Sequence, residues 1–407
     1  MSSLITSLDI GTSQTKVIVA APKKDGTLSV ITAFKHPTSG FKRGILTDAE
    51  EATSSLRQLV LDLKRISKHA TENICVNINS DHIWSRQSQG MVAVARADQE
   101  IQQDDVDRVK EAARAGKTQQ NRAILHNIIR EYFVDGVGDI ADPRGMSGNR
   151  LEVNTLIVEA FAPHMAILTK TLERVGFDVG GIVFNPLAAA SAVLTKRQKD
   201  LGAIVVDFGA STTSFAVYEE GKVVYAKSIP VGSAYITNDI VAGFRIPFDV
   251  AEKLKITYGF ASAKEIGRKD TIRLSEIDPQ NTTEISKRFL AEIIEIRLEE
   301  ILDLVNNELK ALGRSLQLPG GAVISGGGVK LPGMTEFVRQ ELKLPVHMGF
   351  PNLADLEIAN PAHQELLDDP EFVTAVGLLF QYMENSERKP DRTPLEVIGR
   401  ILKNLFP

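Results

Sequence analysis

Two pairs of short runs rich in β-branched residues stand far apart in the chain, and each pair surrounds a glycine-containing turn. Residues 4–8 and 16–20 form the first pair, and residues 203–206 and 214–218 form the second. Runs of this length on either side of a glycine turn predict two β-hairpins. The hairpins lie about one domain's length apart, which predicts two domains of similar design.

Elsewhere, apolar residues recur at helical spacing in several segments. Helices are predicted at 48–69, 104–114, 164–175, 187–194, 289–312, 333–342 and 372–383. Further strands are predicted at 74–78, 91–94, 130–135, 151–159 and 181–184, and a strand followed by a glycine turn at 320–328. Apolar positions are so frequent in 289–312 that this helix is predicted to be buried on most sides. Strands that alternate with helices in two similar halves predict an α/β fold.

The composition of the 407 residues is that of an ordinary globular protein, with 43% hydrophobic and 24% charged residues. The net charge of −5 gives no indication of a nucleic-acid partner. The single cysteine, Cys75, lies in an apolar run and is expected to be a buried, inert thiol. The seven histidines show no metal-ligand spacing, and His126 is expected to be structural. No transmembrane helix or signal peptide is predicted.

Both hairpin turns carry the motif Asp-x-Gly-x-[Ser/Thr], at 9–13 and at 207–211. Backbone N–H groups exposed in a glycine turn can bind phosphate oxygens, and the Asp that ends the incoming strand can hold a Mg²⁺-bound water. One such turn alone would favour a plain hairpin, but two predict a clamp on the phosphates of a nucleotide. The predicted phosphate-binding residues are Gly11, Thr12, Ser13, Lys16, Gly209, Ala210, Ser211 and Thr212, and the predicted metal-binding residues are Asp9 and Asp207.

Two further elements are candidates for binding the nucleoside. Gly326, Gly327 and Gly328 follow a predicted strand, so the backbone can approach a flat or charged ligand closely. Glu252 and Lys255 share one helix face, where the carboxylate can accept ribose hydroxyls and the ammonium can lie over adenine. A common strand-to-helix turn and a solvated charged face are the alternative interpretations, and the two hairpins favour the nucleotide site.

These four elements resemble the motifs of the actin/heat-shock-chaperone/sugar-kinase ATPase superfamily. The segments that resemble its two phosphate loops, its adenosine motif and its two connecting helices are 9–16, 205–217, 324–333, 182–194 and 372–379. More narrowly, the chain resembles the FtsA family of bacterial cell-division proteins over nearly its whole length. The matching segments include 131–135, 145–148, 229–232, 237–240 and 374–378.

The resemblance implies an α/β fold of two actin-like (ribonuclease H-like) domains around a nucleotide cleft, with an inserted small α+β subdomain and a C-terminal amphipathic helix. Domain 1 would comprise 1–83, 162–200 and 351–383, interrupted by the inserted FtsA-type subdomain at 84–161. Domain 2 would have a core at 201–235 and 301–350 and a helical subdomain at 236–300. A linker at 384–393 and a membrane-targeting helix at 394–407 would follow.

Departures from the superfamily pattern bear on nucleotide affinity and hydrolysis. Ala210 and Ser211 replace glycines of the second loop, and Ser214 replaces its Asp, which lowers the affinity and the metal role expected of this loop. Where related ATPases carry a Gln or Glu that orients the attacking water, this chain has Asn185, which cannot act as a base. The protein is therefore expected to be at most a slow ATPase, in which nucleotide sets conformation and assembly.

The C-terminal segment predicts an amphipathic helix. Its residues 394–406 would cover about 20 Å, too little to cross a bilayer, so the helix would lie in the interface of an anionic membrane. The predicted membrane-binding residues are Leu395, Ile398, Arg400, Ile401, Leu402, Lys403, Leu405 and Phe406. A helix that docks on the protein's own body or on a partner is the alternative interpretation.

The resemblance also implies partners. In the FtsA family an Arg in the long helix helps to hold the acidic C-terminal peptide of FtsZ; Arg297 is at the matching position, and Lys287 and Arg288 are expected to extend a basic pocket. The implied protein binds ATP and Mg²⁺, polymerises with itself through the inserted subdomain, tethers FtsZ to the cytoplasmic face of the cell membrane at the division site, and helps to recruit other division proteins. The alternatives are an FtsA-like pilus-assembly scaffold, against which the amphipathic tail argues, and a small-molecule kinase, for which we can name no Asp base facing a substrate pocket.

Overall fold

The computed structural model describes residues 4–116, 120–315 and 317–387. Its strands are β1 (Ile5–Ile10), β2 (Gln14–Pro22), β3 (Leu28–Pro37), β4 (Phe41–Lys42), β5 (Ile45–Leu46), β6 (Ile74–Ile78), β7 (Ile83–Ala93), β8 (Arg122–Val134), β9 (Val137–Ile140), β10 (Arg150–Phe161), β11 (Val179–Phe184), β12 (Ala203–Phe208), β13 (Thr213–Glu219), β14 (Lys222–Ile229), β15 (Thr271–Arg273), β16 (Glu284–Ser286), β17 (Ala322–Ser325), β18 (Val346–Met348) and β19 (Leu356–Ile358). Its α-helices are α1 (Ala49–Ile66), α2 (Gln103–Arg114), α3 (Ala162–Val175), α4 (Asn185–Val193), α5 (Lys196–Leu201), α6 (Ser233–Phe244), α7 (Phe248–Tyr258), α8 (Lys287–Ala311), α9 (Met334–Leu342), α10 (Pro361–Leu367) and α11 (Val373–Glu387).

Two sheets of matching topology form the two halves of the molecule. The first has the strand order β11-β6-β1-β2-β3-β19, and the second has the order β14-β13-β12-β17-β18. In each, a three-stranded antiparallel meander is extended by two parallel strands beside its first strand. The predicted hairpins are present as β1–β2 and β12–β13, and the predicted α/β fold of two similar halves is confirmed.

The first strand of each meander is buried along its whole length. Such strands have both faces covered by helices or other strands, which suits the apolar run at the start of β12. Strand β1 also buries the polar residues Thr6, Ser7 and Asp9. Helices α4 and α11 pack against each other next to both hairpins. A Cβ atom on Gly377 of α11 would lie 1.8 Å from the carbonyl oxygen of Ala188 in α4, so the helices approach this closely only because residue 377 is glycine.

A third sheet, with the order β7-β10-β8-β9, interrupts the first half and carries α2 on one face. Strands β7 and β8 begin at Ile83 and Arg122, earlier than the predicted starts at 91 and 130. Side chains in the early part of β7 are mostly polar and half-buried, so apolar and polar residues do not alternate there. The sequence pattern therefore gave no sign of the beginning of this strand. At the base of this sheet, Ser85 Oγ donates to the carbonyl oxygen of Ala226 at 2.7 Å, so the insertion also contacts the second half.

Helix α8 does not follow the prediction of burial on most sides. Its buried face includes Leu290, Ile294 and Leu298, whereas Phe289 is 44% exposed and Ile296 is 66% exposed. The prediction was wrong because it counted the apolar residues of the segment without following their phase around the helix. The helical region also contains the small antiparallel pair β15–β16, which was not predicted.

Helix α11 continues to Glu387 and therefore enters the segment predicted as a linker at 384–393. The remainder of that linker, and the predicted amphipathic helix at 394–407 with its membrane-binding residues, lie outside the described residues. In the described part of the chain, no helix is both long enough and apolar enough to cross a membrane.

Candidate functional site

The two predicted phosphate-binding turns meet between the halves. Thr12 Oγ1 and Ser211 Oγ are hydrogen-bonded at 2.5 Å. Each turn is closed by the same bond, from Gly11 N to Gln14 O at 3.1 Å and from Gly209 N to Thr212 O at 3.0 Å. The structure therefore brings together the two motifs that the sequence analysis paired.

A chain of buried polar side chains connects the two predicted metal-binding carboxylates. Asn77 Nδ2 donates to Asp9 Oδ1 at 2.8 Å and to Asn185 Oδ1 at 3.0 Å, and Asn185 Nδ2 donates to Asp207 Oδ2 at 3.4 Å. Lys16 Nζ lies 3.5 Å from Asp9 Oδ2 at the other end. Asn77 was missed in the sequence, where the only signal is one polar residue inside the buried run of β6.

Burial shifts the pKa values of the charged groups in this row of polar side chains. Burial raises the pKa of Asp9 even though Lys16 opposes the shift. Burial, aided by the negative charge of Asp9, raises the pKa of Asp207 to about 6. Burial acts to lower the pKa of Lys16, but the charges of Asp9, Glu371 and Asp207 outweigh it and the pKa is raised. Buried carboxylates that resist ionisation gain from a nearby cation.

These carboxylates fit Mg²⁺, which takes oxygen ligands and commonly uses one or two carboxylates with waters and phosphates. Within the described residues there is no group of three or more His, Cys, Asp or Glu side chains that could hold a metal. Asp9 and Asp207 alone would therefore be an incomplete set of ligands for this ion.

The second turn is held from both sides. Asn79, which follows β6 in the first half, donates through Nδ2 to Thr212 Oγ1 at 3.0 Å. On the other side, the first residues of α6 donate to the turn, with Ser233 N bonded to Gly209 O at 3.0 Å and Ala234 N to Ala210 O at 2.7 Å. The backbone of this turn is therefore fixed relative to both halves.

Glu252 and Lys255 lie beside that support. Lys255 Nζ donates to Glu252 Oε2 at 2.8 Å, to Thr237 Oγ1 at 2.8 Å and to Ser233 O at 3.2 Å. Lys255 is only 8% exposed, so the alternative interpretation of a solvated charged face is wrong for this residue. The pair is positioned against α6, which itself supports the second turn.

The glycines at 326–328 pack against the second hairpin. Gly326 has φ +88°, and a Cβ there would lie 2.4 Å from Asp207 Oδ1. A Cβ on Gly328 would lie 3.0 Å from Cβ of Phe208. Gly326 N donates to Pro370 O at 3.1 Å, which ties this turn to the segment before α11. The third predicted element therefore adjoins the Asp207 end of the polar chain.

The three residues predicted to bind a partner peptide have different hydrogen-bond partners. Arg297 forms a bidentate pair with Asp239 of α6, through Nε at 2.6 Å and Nη2 at 2.9 Å. Arg288 instead donates to Glu292 and to the carbonyl oxygen of Ile266. Lys287, at the start of α8, bonds through its backbone N–H to Asp270 O at 2.9 Å. Arg288 and Arg297 therefore face different neighbours.

His126 has the structural role expected of it. Its Nε2 accepts the backbone N–H of Phe184 at 3.1 Å, which ties the inserted sheet to the start of α4. Burial lowers the pKa of His126 to about 4, so the ring is neutral and can accept this bond.

Paired sheets of matching topology with hairpin turns meeting between them define an actin-like fold. A solved structure titled PilM-PilN type IV pilus biogenesis complex is similar, with a TM-score of 0.67 and 17% identity, over 94% of this chain and 99% of that one. MreB 5 of Spiroplasma citri bound to AMPPNP gives a TM-score of 0.56 and 15% identity, over 95% of this chain and 99% of that one.

The family follows from the sequence comparisons. The family model "Cell division protein FtsA" matches residues 204–377, and the model "SHS2 domain inserted in FTSA" matches residues 80–159. Cell division protein FtsA of Pseudomonas aeruginosa is 32% identical over 396 residues, which cover 97% of this chain and 92% of that protein. The chain belongs to the FtsA family of cell-division proteins.

Proposed function

We propose that this protein binds Mg-ATP between its two halves and uses the bound state to control assembly on the membrane. The observation that carries the proposal is the contact between Thr12 and Ser211, which brings the two glycine turns together beside the Asp9–Asp207 polar chain. The structural neighbour MreB 5 of Spiroplasma citri, whose title names AMPPNP, supports nucleotide binding by a protein of this fold.

Each group has a defined part in this proposal. The N–H groups of the two turns bind phosphate oxygens, and Lys16 adds a positive charge. Magnesium, when bound, neutralises phosphate charge, and Asp9 and Asp207 orient its waters. Glu252 accepts ribose hydroxyls, Lys255 borders the adenine, and Gly326, Gly327 and Gly328 allow the nucleoside to approach the backbone.

Hydrolysis of ATP by this protein should be slow. The amide of Asn185 accepts from Asn77 and donates to Asp207, so both of its ends are already engaged. An amide cannot take a proton from water at neutral pH, and the loss of a general base costs about 10²–10⁴-fold in rate. A steady ATPase rate on the order of one per second or faster would contradict this part of the proposal.

The assembly part of the proposal rests on the family. We infer that the protein polymerises through the inserted sheet, lies on the cytoplasmic face of the membrane through residues 394–407, tethers FtsZ filaments there, and recruits other division proteins. On α8, the half-exposed Phe289 contacts Phe244 and Arg297 pairs with Asp239, so both side chains lie against α6. Apolar side chains beside a guanidinium suit a peptide that carries both apolar and acidic residues.

Two measurements test the proposal. Isothermal titration of ATP in magnesium buffer should show one site, and Lys16→Met should weaken ATP binding by at least tenfold. No measurable binding to either protein at millimolar ATP would overturn the nucleotide site.

Sedimentation with anionic liposomes should carry down the full chain together with FtsZ. A chain ending at residue 387 that sediments equally well would overturn the membrane role of the tail, and transfer of phosphate to a small metabolite would indicate a kinase instead.

A further inference from the structure

Two lysines of the first sheet lie side by side next to the first turn. In the register of β1, β2 and β3, Asp9 lies opposite Lys16, and Lys16 lies opposite Lys35. Directly opposite residues of antiparallel strands point to the same face of a sheet. Lys35 therefore belongs to the same row as the predicted phosphate ligand Lys16, one strand further from Asp9.

Glu371 connects this row to the second half. It lies in the 3₁₀ turn Pro370–Phe372, where Oε2 accepts a hydrogen bond from Lys35 Nζ. Its Oε1 lies 3.4 Å from Nζ of Lys330, which belongs to the 3₁₀ turn Gly327–Lys330 of the second half. One carboxylate thus binds an ammonium group from each side of the molecule.

The same carboxylate lies directly on the third glycine element. A Cβ on Gly327 would be 3.3 Å from Glu371 Oε1, so the carboxylate uses space that the missing side chain leaves open. The side chain of Glu371 is 21% exposed, and it is therefore partly screened from water.

Glu371 is an anion at neutral pH. Burial acts to raise its pKa, but the hydrogen bond from Lys35 and the charges of Lys35, Lys330 and Lys16 outweigh burial and lower it. A charged carboxylate that binds cations beside the glycine turns repels the phosphates of an incoming nucleotide, because like charges repel strongly where water is partly excluded.

We propose that Glu371 is an internal anion that competes with nucleotide phosphates for Lys35 and Lys330 and thereby sets the affinity for nucleotide. The inference rests on the proposed function, since it concerns the same cleft. Under this proposal, Lys35 is a further phosphate-binding residue. The contact that Glu371 makes between the two halves is then weaker when nucleotide is bound.

The test is isothermal titration of ATP into the full chain and into Glu371→Gln, in magnesium and again in EDTA. Glutamine keeps the shape of the side chain and removes its charge, so ATP should bind roughly tenfold more tightly under both conditions. Glu336→Gln is the matched control, because Glu336 pairs with Arg339 on the exposed surface of α9 and its loss should leave the affinity within twofold.

A double mutant identifies the cation. Lys35→Met removes the ammonium group, whose Nζ lies 5.5 Å from the centre of the Phe372 ring, keeps most of the aliphatic stem, and should weaken ATP binding. If Glu371 acts through Lys35, the gain from Glu371→Gln should shrink to about threefold or less in the Lys35→Met background. Thermal unfolding of each variant verifies that it is folded before titration.

The remaining outcomes are distinct. Unchanged or weaker ATP binding by folded Glu371→Gln, with normal binding by the parent chain, overturns the inference and leaves the proposed function standing. Weakening in magnesium alone would assign Glu371 to the metal and also overturn it. If neither the parent chain nor Glu371→Gln binds ATP, the nucleotide site itself fails.

Discussion

Asn77 donates to Asp9 Oδ1 at 2.8 Å, while its own Oδ1 accepts the backbone N–H of Ile10 at 2.7 Å. A single side chain of β6 therefore fixes both the carboxylate and the backbone at the end of the first hairpin. Since the same amide also bonds Asn185, it determines how the first turn and α4 are placed relative to each other.

Replacing Asn77 with Asp should remove these donors and set a carboxylate against Asp9. We expect a loss of about 2–4 kcal/mol in the free energy of unfolding, because a buried polar network loses its donors and gains a like charge. Urea denaturation measures it. Asn352→Asp is the control, since the exposed side chain of Asn352 accepts the N–H of Ala354, which Asp can also do. An equal, small effect of both substitutions would contradict the role given to Asn77.

Gly377→Ala should be severely destabilising. The added methyl would lie 1.8 Å from the carbonyl oxygen of Ala188, so α4 and α11 would have to separate. We expect a loss of about 3 kcal/mol or more in unfolding free energy. The comparison is Gly181→Ala, where the nearest atom, Sγ of Cys75, would be 3.9 Å away. Similar melting temperatures for the two variants would show that the helix contact is not tight.

Arg297→Ala should weaken the binding of an FtsZ C-terminal peptide by at least tenfold, measured by fluorescence anisotropy, if Arg297 supplies the carboxylate-binding fork. Arg288→Ala should leave the affinity within twofold, because Arg288 bonds Glu292 and Ile266 O rather than facing Arg297. A large effect of Arg288→Ala would instead support the single basic pocket that the sequence suggested.

Protonation of His126 should oppose folding. Burial lowers its pKa to about 4 in the folded chain, against about 6.5 when unfolded. The stability that the neutral ring confers is therefore complete above pH 6.5 and is lost as the pH falls toward 4, by about 1–2 kcal/mol at pH 5. Unfolding measured at pH 7.5 and pH 5 should show a smaller loss in His126→Gln than in the parent chain. An identical pH dependence would exclude this contribution.

The thiol of Cys75 should be inert in the folded protein. It is buried, and burial raises its pKa to about 12, so the reactive thiolate is scarce. A thiol reagent such as 5,5′-dithiobis(2-nitrobenzoic acid) should react with the native chain only at the rate of opening, and fully in denaturant. Rapid stoichiometric reaction of the native chain would contradict this burial.

The sequence predicted those parts of the site that depend on local patterns. Each hairpin turn is encoded by neighbouring residues, so spacing alone could place Asp9, Gly11, Asp207 and Gly209 in the two turns. Asn77 and Asn79 could not be identified in this way. Asn77 reaches the first turn through the parallel pairing of β1 with β6, and Asn79 reaches the second turn where the two halves meet, so both contacts join residues far apart in the chain. Glu371 was missed for the same reason, since its lysines come from β3 and from the turn after β17.

Errors in the predicted elements have a similar origin. The beginning of β7 was missed because its half-buried polar side chains give no alternation. The beginning of β8 was missed because apolar side chains such as Ile124 and Leu125 lie on both of its faces and hide the alternation. In α8, the number of apolar residues concealed that Phe289 and Ile296 are exposed. The pattern of apolar residues indicates how hydrophobic a segment is, but the tertiary fold determines which neighbours cover each of its faces.

The order of strands along the chain also determines when, during synthesis, the sheet of each half can be completed. Strand β19 completes the first sheet by pairing with Leu28 and Val30 of β3, yet it follows the entire second half in the sequence. During synthesis on the ribosome, the second half emerges uninterrupted, whereas the edge of β3 stays open until residue 358 has been added. A nascent chain halted before that point would carry an unpaired strand edge, which favours aggregation.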